Sequence, residues 1–148
     1  MPSFQKETRT GTCIFCEIVA GRAPASRVAG NALSIAFLTI GPLREGHALV
    51  IPKRHAVEYT DATPEELAAV FQLGAEVAQR QRQVLGSRGE TLFLASGSAG
   101  EQSVFHLHLH VVPRIEGDAL DLTSWWAARM SKPSRADLDA IAARLRGR

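Results

Sequence analysis

Between Gln102 and Arg114 histidine alternates with large apolar residues, as Phe105-His106-Leu107-His108-Leu109-His110-Val111. A strict period of two is the signature of a β-strand with two unlike faces. Phe105, Leu107, Leu109 and Val111 then point into a core. His106, His108 and His110 point the other way, spanning about 13 Å at ~3.3 Å per residue. Three of the chain's five histidines are forced into one row. Pro113 is expected to end the strand, because it has no N–H to give a ladder. One histidine on such a strand would be an ordinary wet-face residue. Three in a row suit two chemistries: a metal row, since imidazole is the commonest metal ligand, or nucleophilic catalysis, in which one imidazole attacks while its neighbours set its tautomer and field.

The rest of the chain supplies the frame for that strand. Cys13-Ile14-Phe15-Cys16 opens a short helical stretch over residues 15–20, with Gly21 as a left-handed stop. Short strands follow at residues 26–28 and 33–38, joined by the turn pair Gly30-Asn31. His47-Ala48-Leu49-Val50-Ile51-Pro52 reads as a buried strand. Thr63-Pro64-Glu65-Glu66 starts the best helix with an N-cap, a first-turn proline and a capping-box glutamate. Leu67, Val70, Phe71, Gly74, Val77, Ala78, Val84 and Leu85 continue at helical spacing, and Gly86 closes it. Gly74 costs roughly 1 kcal/mol against alanine in mid-helix. Close approach of another helix, as at a dimer seam, would offset that cost. Residues 91–95 form a strand, and Gly97 to Gly100 a glycine-rich loop whose backbone N–H groups can face an anion. Trp125-Trp126 falls in a short helix. Ser134 caps a last amphipathic helix with Leu138, Ile141, Ala142 and Leu145 inward. Hairpin-linked strands around one long helix, without βαβ alternation, predict an α+β fold with an antiparallel sheet.

At 148 residues the chain suits a single domain, 1–148, with a core at about 13–114 and a C-terminal helical extension at 115–148. Lys and Arg number 17 against 15 Asp and Glu, a net charge of +2 that gives no support to a nucleic-acid partner. Arg129, Lys132, Arg135, Arg144, Arg146 and Arg148 crowd the C-terminus and read as a solvated helix face. No apolar run approaches the roughly 20 residues of a membrane span, and the polar start through Thr12 lacks the apolar centre of a signal peptide. Cys13 and Cys16 are the only cysteines, so no disulfide framework is implied and a reducing cytoplasm is the default. The pair is ambiguous alone. A redox dithiol wants a thioredoxin-like setting, zinc wants two more ligands, and free buried thiols are the third possibility.

Gln102-Ser103-Val104-Phe105-His106-Leu107-His108-Leu109-His110-Val111-Val112 resembles the signature of the histidine triad (HIT) family, His-x-His-x-His followed by apolar residues. The resemblance spans about residues 13–114 and leaves the C-terminal extension unassigned. It implies a five-stranded antiparallel sheet with a helix, commonly dimerised. It also implies that His108 is the nucleophile, attacking the α-phosphorus of a nucleotide to give a nucleotidyl-imidazole. His110 would fix a tautomer or hydrogen-bond the phosphate, and His47 would complete the proton network as the family's fourth histidine. Gln102 and Ser103 match positions that contact the phosphate and leaving group. In branches with an N-terminal Cys-x-x-Cys, that pair, the His after Pro-Lys-x and the first triad His close a structural zinc site. Here these are Cys13, Cys16, His55 and His106, the last two about fifty residues apart. No catalytic metal is implied.

Three positions depart from the family pattern. Thr39-Ile40 stands where Asp-Ile usually grips both ribose hydroxyls. Losing those charge-assisted bonds costs roughly 1.5–3 kcal/mol. Ala95 replaces a frequent asparagine at the head of the glycine-rich loop, and Glu101 replaces a small residue beside the expected phosphate. The chain therefore reads as an enzyme, a HIT-type hydrolase or transferase of nucleoside phosphoramidates or dinucleoside polyphosphates. The alternative is a non-catalytic zinc- and nucleotide-binding module with a degenerate ribose site. A metal hydrolase using the histidine row lacks a carboxylate at matching spacing.

Overall fold

The computed structural model describes residues 13–147. The polar start and Arg148 lie outside the described residues. These elements follow in order: α1 (Ile14–Val19), β1 (Arg27–Gly30), β2 (Ser34–Leu38), β3 (Ala48–Pro52), α2 (Pro64–Leu85), β4 (Gly89–Phe93), β5 (Leu109–Arg114), α3 (Leu122–Ala127) and α4 (Arg135–Arg146). The five strands form one sheet in the order β1-β2-β3-β5-β4, every neighbouring pair antiparallel. The expected α+β architecture is present.

Helix α2 begins as its sequence dictates. The Thr63 hydroxyl accepts from Glu66 N at 3.1 Å, and the Glu66 carboxylate accepts from Thr63 N at 2.9 Å. Arg54 forks onto the same carboxylate at 2.7 and 2.8 Å, and this pairing holds the Glu66 carboxyl down at about 2. Gly86 closes the helix at φ 69°. The face turned to the sheet carries Ala69, Val70, Leu73, Gly74, Val77 and Gln81. Phe71, Val84 and Leu85, expected on that stripe, are exposed. A helix advances 100° per residue, and here the sheet selects the stripe through Leu73 and Gln81 over its neighbour. Val70, Leu73 and Val77 meet Ala36, Ala48, Val50, Leu109 and Val111 in one apolar layer. Each fully buried side chain of this size contributes about 1.5–3 kcal/mol. The close approach at Gly74 comes from β5 rather than from another helix. A Cβ there would lie 3.2 Å from Leu109 Cδ2 and 3.8 Å from Val111 Cγ2.

The opposite face of the sheet packs under α1, where Phe15 and Ile18 meet Ile35, Phe37, Leu49, Ile51 and Val104. His110 is the cross-strand neighbour of Leu49, so the histidines project to this side. The structure departs from a plain alternating strand here in three ways. Regular strand begins only at Leu109, leaving His106 and His108 ahead of it. Pairing of β3 with β5 stops at Val50 opposite Leu109, since Pro52 at the end of β3 has no N–H to extend it. Leu107 N instead donates to the Ala56 carbonyl at 2.7 Å. Second, the histidine side is buried too: His106 is 0% and His108 2% exposed. Third, β5 runs through Pro113, which pairs with Glu90 of β4. The β3 partner ends opposite Val111, so the proline lies where β5 has one neighbour only.

The chain divides into two compact units, one ending at Glu116 and the other running from Gly117. In the second, Asp121 caps α3 and Ser134 caps α4 with Asp137 closing a capping box. Leu138, Ile141 and Leu145, expected inward, are exposed. No helix among the described residues is long and apolar enough to cross a membrane.

Candidate active site and metal quartet

Four side chains from three places in the chain converge beside α1. Cys13 is the helix N-cap, its sulfur accepting from Cys16 N at 3.4 Å, and Cys16 stands one turn further on. His55 follows β3, and His106 precedes β5. His106 Nδ1 lies 3.4 Å from Cys13 Sγ and 3.6 Å from Cys16 Sγ, while His55 Nδ1 lies 3.2 Å from Cys16 Sγ. All four donor atoms fall within 4.8 Å of one another. A tetrahedral zinc with Zn–S of about 2.3 Å and Zn–N of about 2.1 Å would hold N and S about 3.6 Å apart. The protonation pattern fits as well. His106 Nε2 donates to the Pro52 carbonyl at 2.8 Å, so its proton sits there and Nδ1 offers its lone pair to the sulfurs. Burial pushes His106 down to about 4, which keeps it neutral. Burial and the neighbouring Cys13 push the Cys16 thiol up to about 11, a state that a bound cation would reverse.

The next two histidines are set differently. His108 Nδ1 lies 2.8 Å from the His106 carbonyl. A carbonyl only accepts, so Nδ1 carries the proton and Nε2 the lone pair. Phe15 sets its ring edge-on against both His106 and His108, with centroids 5.8 and 5.3 Å apart. His110 sits at the end of a relay. Leu43 N donates to His47 Nδ1 at 3.1 Å, which puts the His47 proton on Nε2. That nitrogen lies 2.9 Å from His110 Nδ1 and donates to it. His110 therefore carries its own proton on Nε2. Burial, then His108 and His47, push His110 down to about 3; burial also lowers His47 and His108. Phe93, its cross-strand neighbour on β4, stacks on the His110 ring with centroids 4.0 Å apart at 13°.

His108 and His110 line a cleft of about 350 Å³ together with Phe93, Ala95, Glu101 and Ser103. The arrangement offers an imidazole lone pair, an imidazole N–H and a hydroxyl at one opening. Gln102 is 2% exposed and its amide is spent on the loop. Its Oε1 accepts from Gly97 N at 2.9 Å, and its Nε2 donates to the carbonyls of Val57 at 2.6 Å and Val104 at 3.0 Å. Thr39 and Ile40 are outside the cleft lining. The Thr39 hydroxyl accepts from Gly41 N at 3.2 Å, and Ile40 is 98% exposed. Sequence reasoning missed Phe15, Phe93 and the Leu43 N–H. The apolar run Leu92-Phe93-Leu94 places Phe93 in a strand, but only strand register shows which residue it covers.

A histidine row buried on a five-stranded antiparallel sheet, with a cysteine–histidine quartet at its head, defines the class of histidine triad proteins. The HIT domain model matches residues 20–117, and the chain belongs to this family. An uncharacterized HIT-like protein of Mycobacterium tuberculosis is 42% identical over 110 residues, 74% of this chain and 76% of the relative. The adenosine 5'-monophosphoramidase hnt1 of Schizosaccharomyces pombe is 38% identical over 103 residues, 70% of this chain and 74% of its own length. Among solved structures, a zinc-bound histidine triad family protein from Mycobacterium smegmatis aligns with a TM-score of 0.71 at 38% identity, covering 87% of this chain and 96% of that one.

Proposed function

We propose that this protein is a nucleotide hydrolase or transferase acting at the α-phosphorus of nucleoside phosphoramidates or dinucleoside polyphosphates, through a nucleotidyl-His108 intermediate. The observation that carries this reading is the His108 tautomer, fixed by the His106 carbonyl so that Nε2 holds the lone pair. His108 Nε2 attacks phosphorus and the bond to the leaving group breaks, its electron pair departing with that group, which takes up a proton. Water then attacks phosphorus and the P–N bond to His108 breaks, releasing the nucleoside monophosphate. Two displacements replace one difficult step. His110, protonated on Nε2 by the relay from His47, donates to a phosphate oxygen. Ser103 meets the leaving group, and Gln102 holds the loop in place. The relative named for phosphoramidase activity supports the substrate class.

Cys13, Cys16, His55 and His106 would hold zinc, which supplies a structural cross-link between α1 and the start of the histidine row. A homodimer in the cytoplasm belongs to the same reading. The open edge of β4 with exposed Leu92, and exposed Phe71 and Val84 on α2, motivate the dimer. Light scattering would then give twice 16.0 kDa, and the monomer mass at tens of micromolar would refute it. The second reading, a non-catalytic nucleotide- and zinc-binding module, draws on Thr39, whose hydroxyl cannot replace a carboxylate on the ribose.

The deciding experiment is a turnover screen of adenosine and guanosine phosphoramidates and dinucleoside polyphosphates, with rapid quenching to trap labelled nucleotide on the protein. Turnover with a labelled histidine intermediate is the expected result. Binding without turnover across the set would favour the module.

A further inference from the structure

Among the described residues lining the cleft, Glu101 is the only Asp, Glu, Lys or Arg. Its backbone is held at φ 65°, in the left-handed region where glycine is at ease, by its N–H donating to the Ser98 carbonyl at 3.0 Å. The next residue, Gln102, is buried and ties the loop to Gly97, Val57 and Val104. Glu101 is thus an exposed residue on a pinned backbone, two residues from Ser103 and in the lining of the same cleft as His108 and His110. A carboxylate there opposes the phosphate of every substrate. It favours a substrate only if another part of that substrate is positive, and the base and ribose of a nucleotide bring no such charge.

We propose that Glu101 makes the cleft selective for nucleoside phosphoramidates whose leaving amine bears a second, protonated nitrogen. The inference rests on the hydrolase reading for its chemistry and on the cleft for its geometry. When the P–N bond breaks, its electron pair stays with the departing nitrogen, which takes up a proton. The remote ammonium faces Glu101 throughout. A neutral amine gains nothing from the carboxylate, and a leaving group ending in a carboxylate is repelled.

The test uses three adenosine 5'-phosphoramidates that differ only at the end of a four-carbon amine, as ammonium, methyl or carboxylate. On the wild-type chain kcat/KM should fall in that order. The ratio of the first to the last should be at least about fivefold at low salt, shrinking as salt is raised. In Glu101→Gln the ratio should drop close to one, and in Glu101→Asp most of it should return. The same three compounds are titrated by calorimetry against His108→Asn, with and without Glu101→Gln, to read the preference in binding alone. A ratio unchanged by Glu101→Gln, or no preference in wild type, would overturn the inference. No turnover of any compound, with charge-ranked binding that Glu101→Gln abolishes, would sink the hydrolase reading and uphold the role of Glu101. No turnover with equal binding would overturn both.

Discussion

His106 fixes the tautomer of His108 through its backbone while its side chain belongs to the cysteine–histidine quartet. The carbonyl accepts from His108 Nδ1 at 2.8 Å, and the ring nitrogen Nδ1 lies 3.4 Å from Cys13 Sγ. One residue therefore links the quartet to the His108 imidazole. Its carbonyl can be held in place by anything that holds its ring.

His108→Asn keeps volume and polarity but removes the proposed nucleophile. Turnover of a nucleoside phosphoramidate should fall by about a thousandfold or more, while affinity for the unreacted substrate stays within about threefold. Steady-state kinetics and calorimetry on one preparation separate the two. Wild-type turnover in the variant would overturn the mechanism.

Purified protein should contain one zinc per chain by metal analysis. Replacing Cys13 and Cys16 together by alanine should remove it and lower Tm more strongly than it lowers kcat, since the quartet holds α1 to the histidine row. Breaking a structural site of this kind costs several kcal/mol, on the order of half the stability of a small domain. Wild-type protein free of zinc, with both thiols titrating at once, would refute the site.

Thr39→Asp should tighten nucleotide binding by about 1.5–3 kcal/mol and leave the chemical step nearly unchanged. A carboxylate accepts from both ribose hydroxyls, where the Thr39 hydroxyl is engaged by Gly41 N. Binding curves for a nucleoside monophosphate decide it. Unchanged affinity would mean that the ligand is not gripped through a ribose diol at this position.

His110 is neutral in the folded chain and held down at about 3 by burial, whereas an unfolded histidine titrates near 6.5. Its contribution to stability is fully present above about 6.5 and is lost as pH falls toward 3, because the unfolded state takes up the proton first. The slope from one such group reaches about 1.4 kcal/mol per pH unit. His110→Gln should flatten the acid limb of a stability profile measured by urea midpoints between pH 6.5 and 4. An identical limb in the variant would show that other groups carry the loss.

The histidine row, the capped helix α2 and the antiparallel strands were legible in the sequence because each rests on local period and local caps. The convergence of Cys13, Cys16, His55 and His106 was reachable through family resemblance, not through spacing. What escaped depends on neighbours distant in the chain. His106 and His108 are buried because α1 lies over them, and no period-two pattern carries that information. Strand β5 starts late because Pro52, a residue of β3, ends the ladder. Gln102 turns inward because Val57 and Val104 present carbonyls to it. Phe93 covers His110 through a register that neither strand specifies alone.

The strand order β1-β2-β3-β5-β4 sets when the site can exist. The last strand made is the one that lies between β3 and β4, and Ala48 waits for Val111, 63 positions later. Until β5 arrives, β1-β2-β3 and β4 are separate pieces, and His47 has no His110 to bond. A chain still leaving the ribosome, or one truncated before Leu109, thus has no assembled triad to expose to nucleotides. The histidine row is assembled in the same step that closes the sheet.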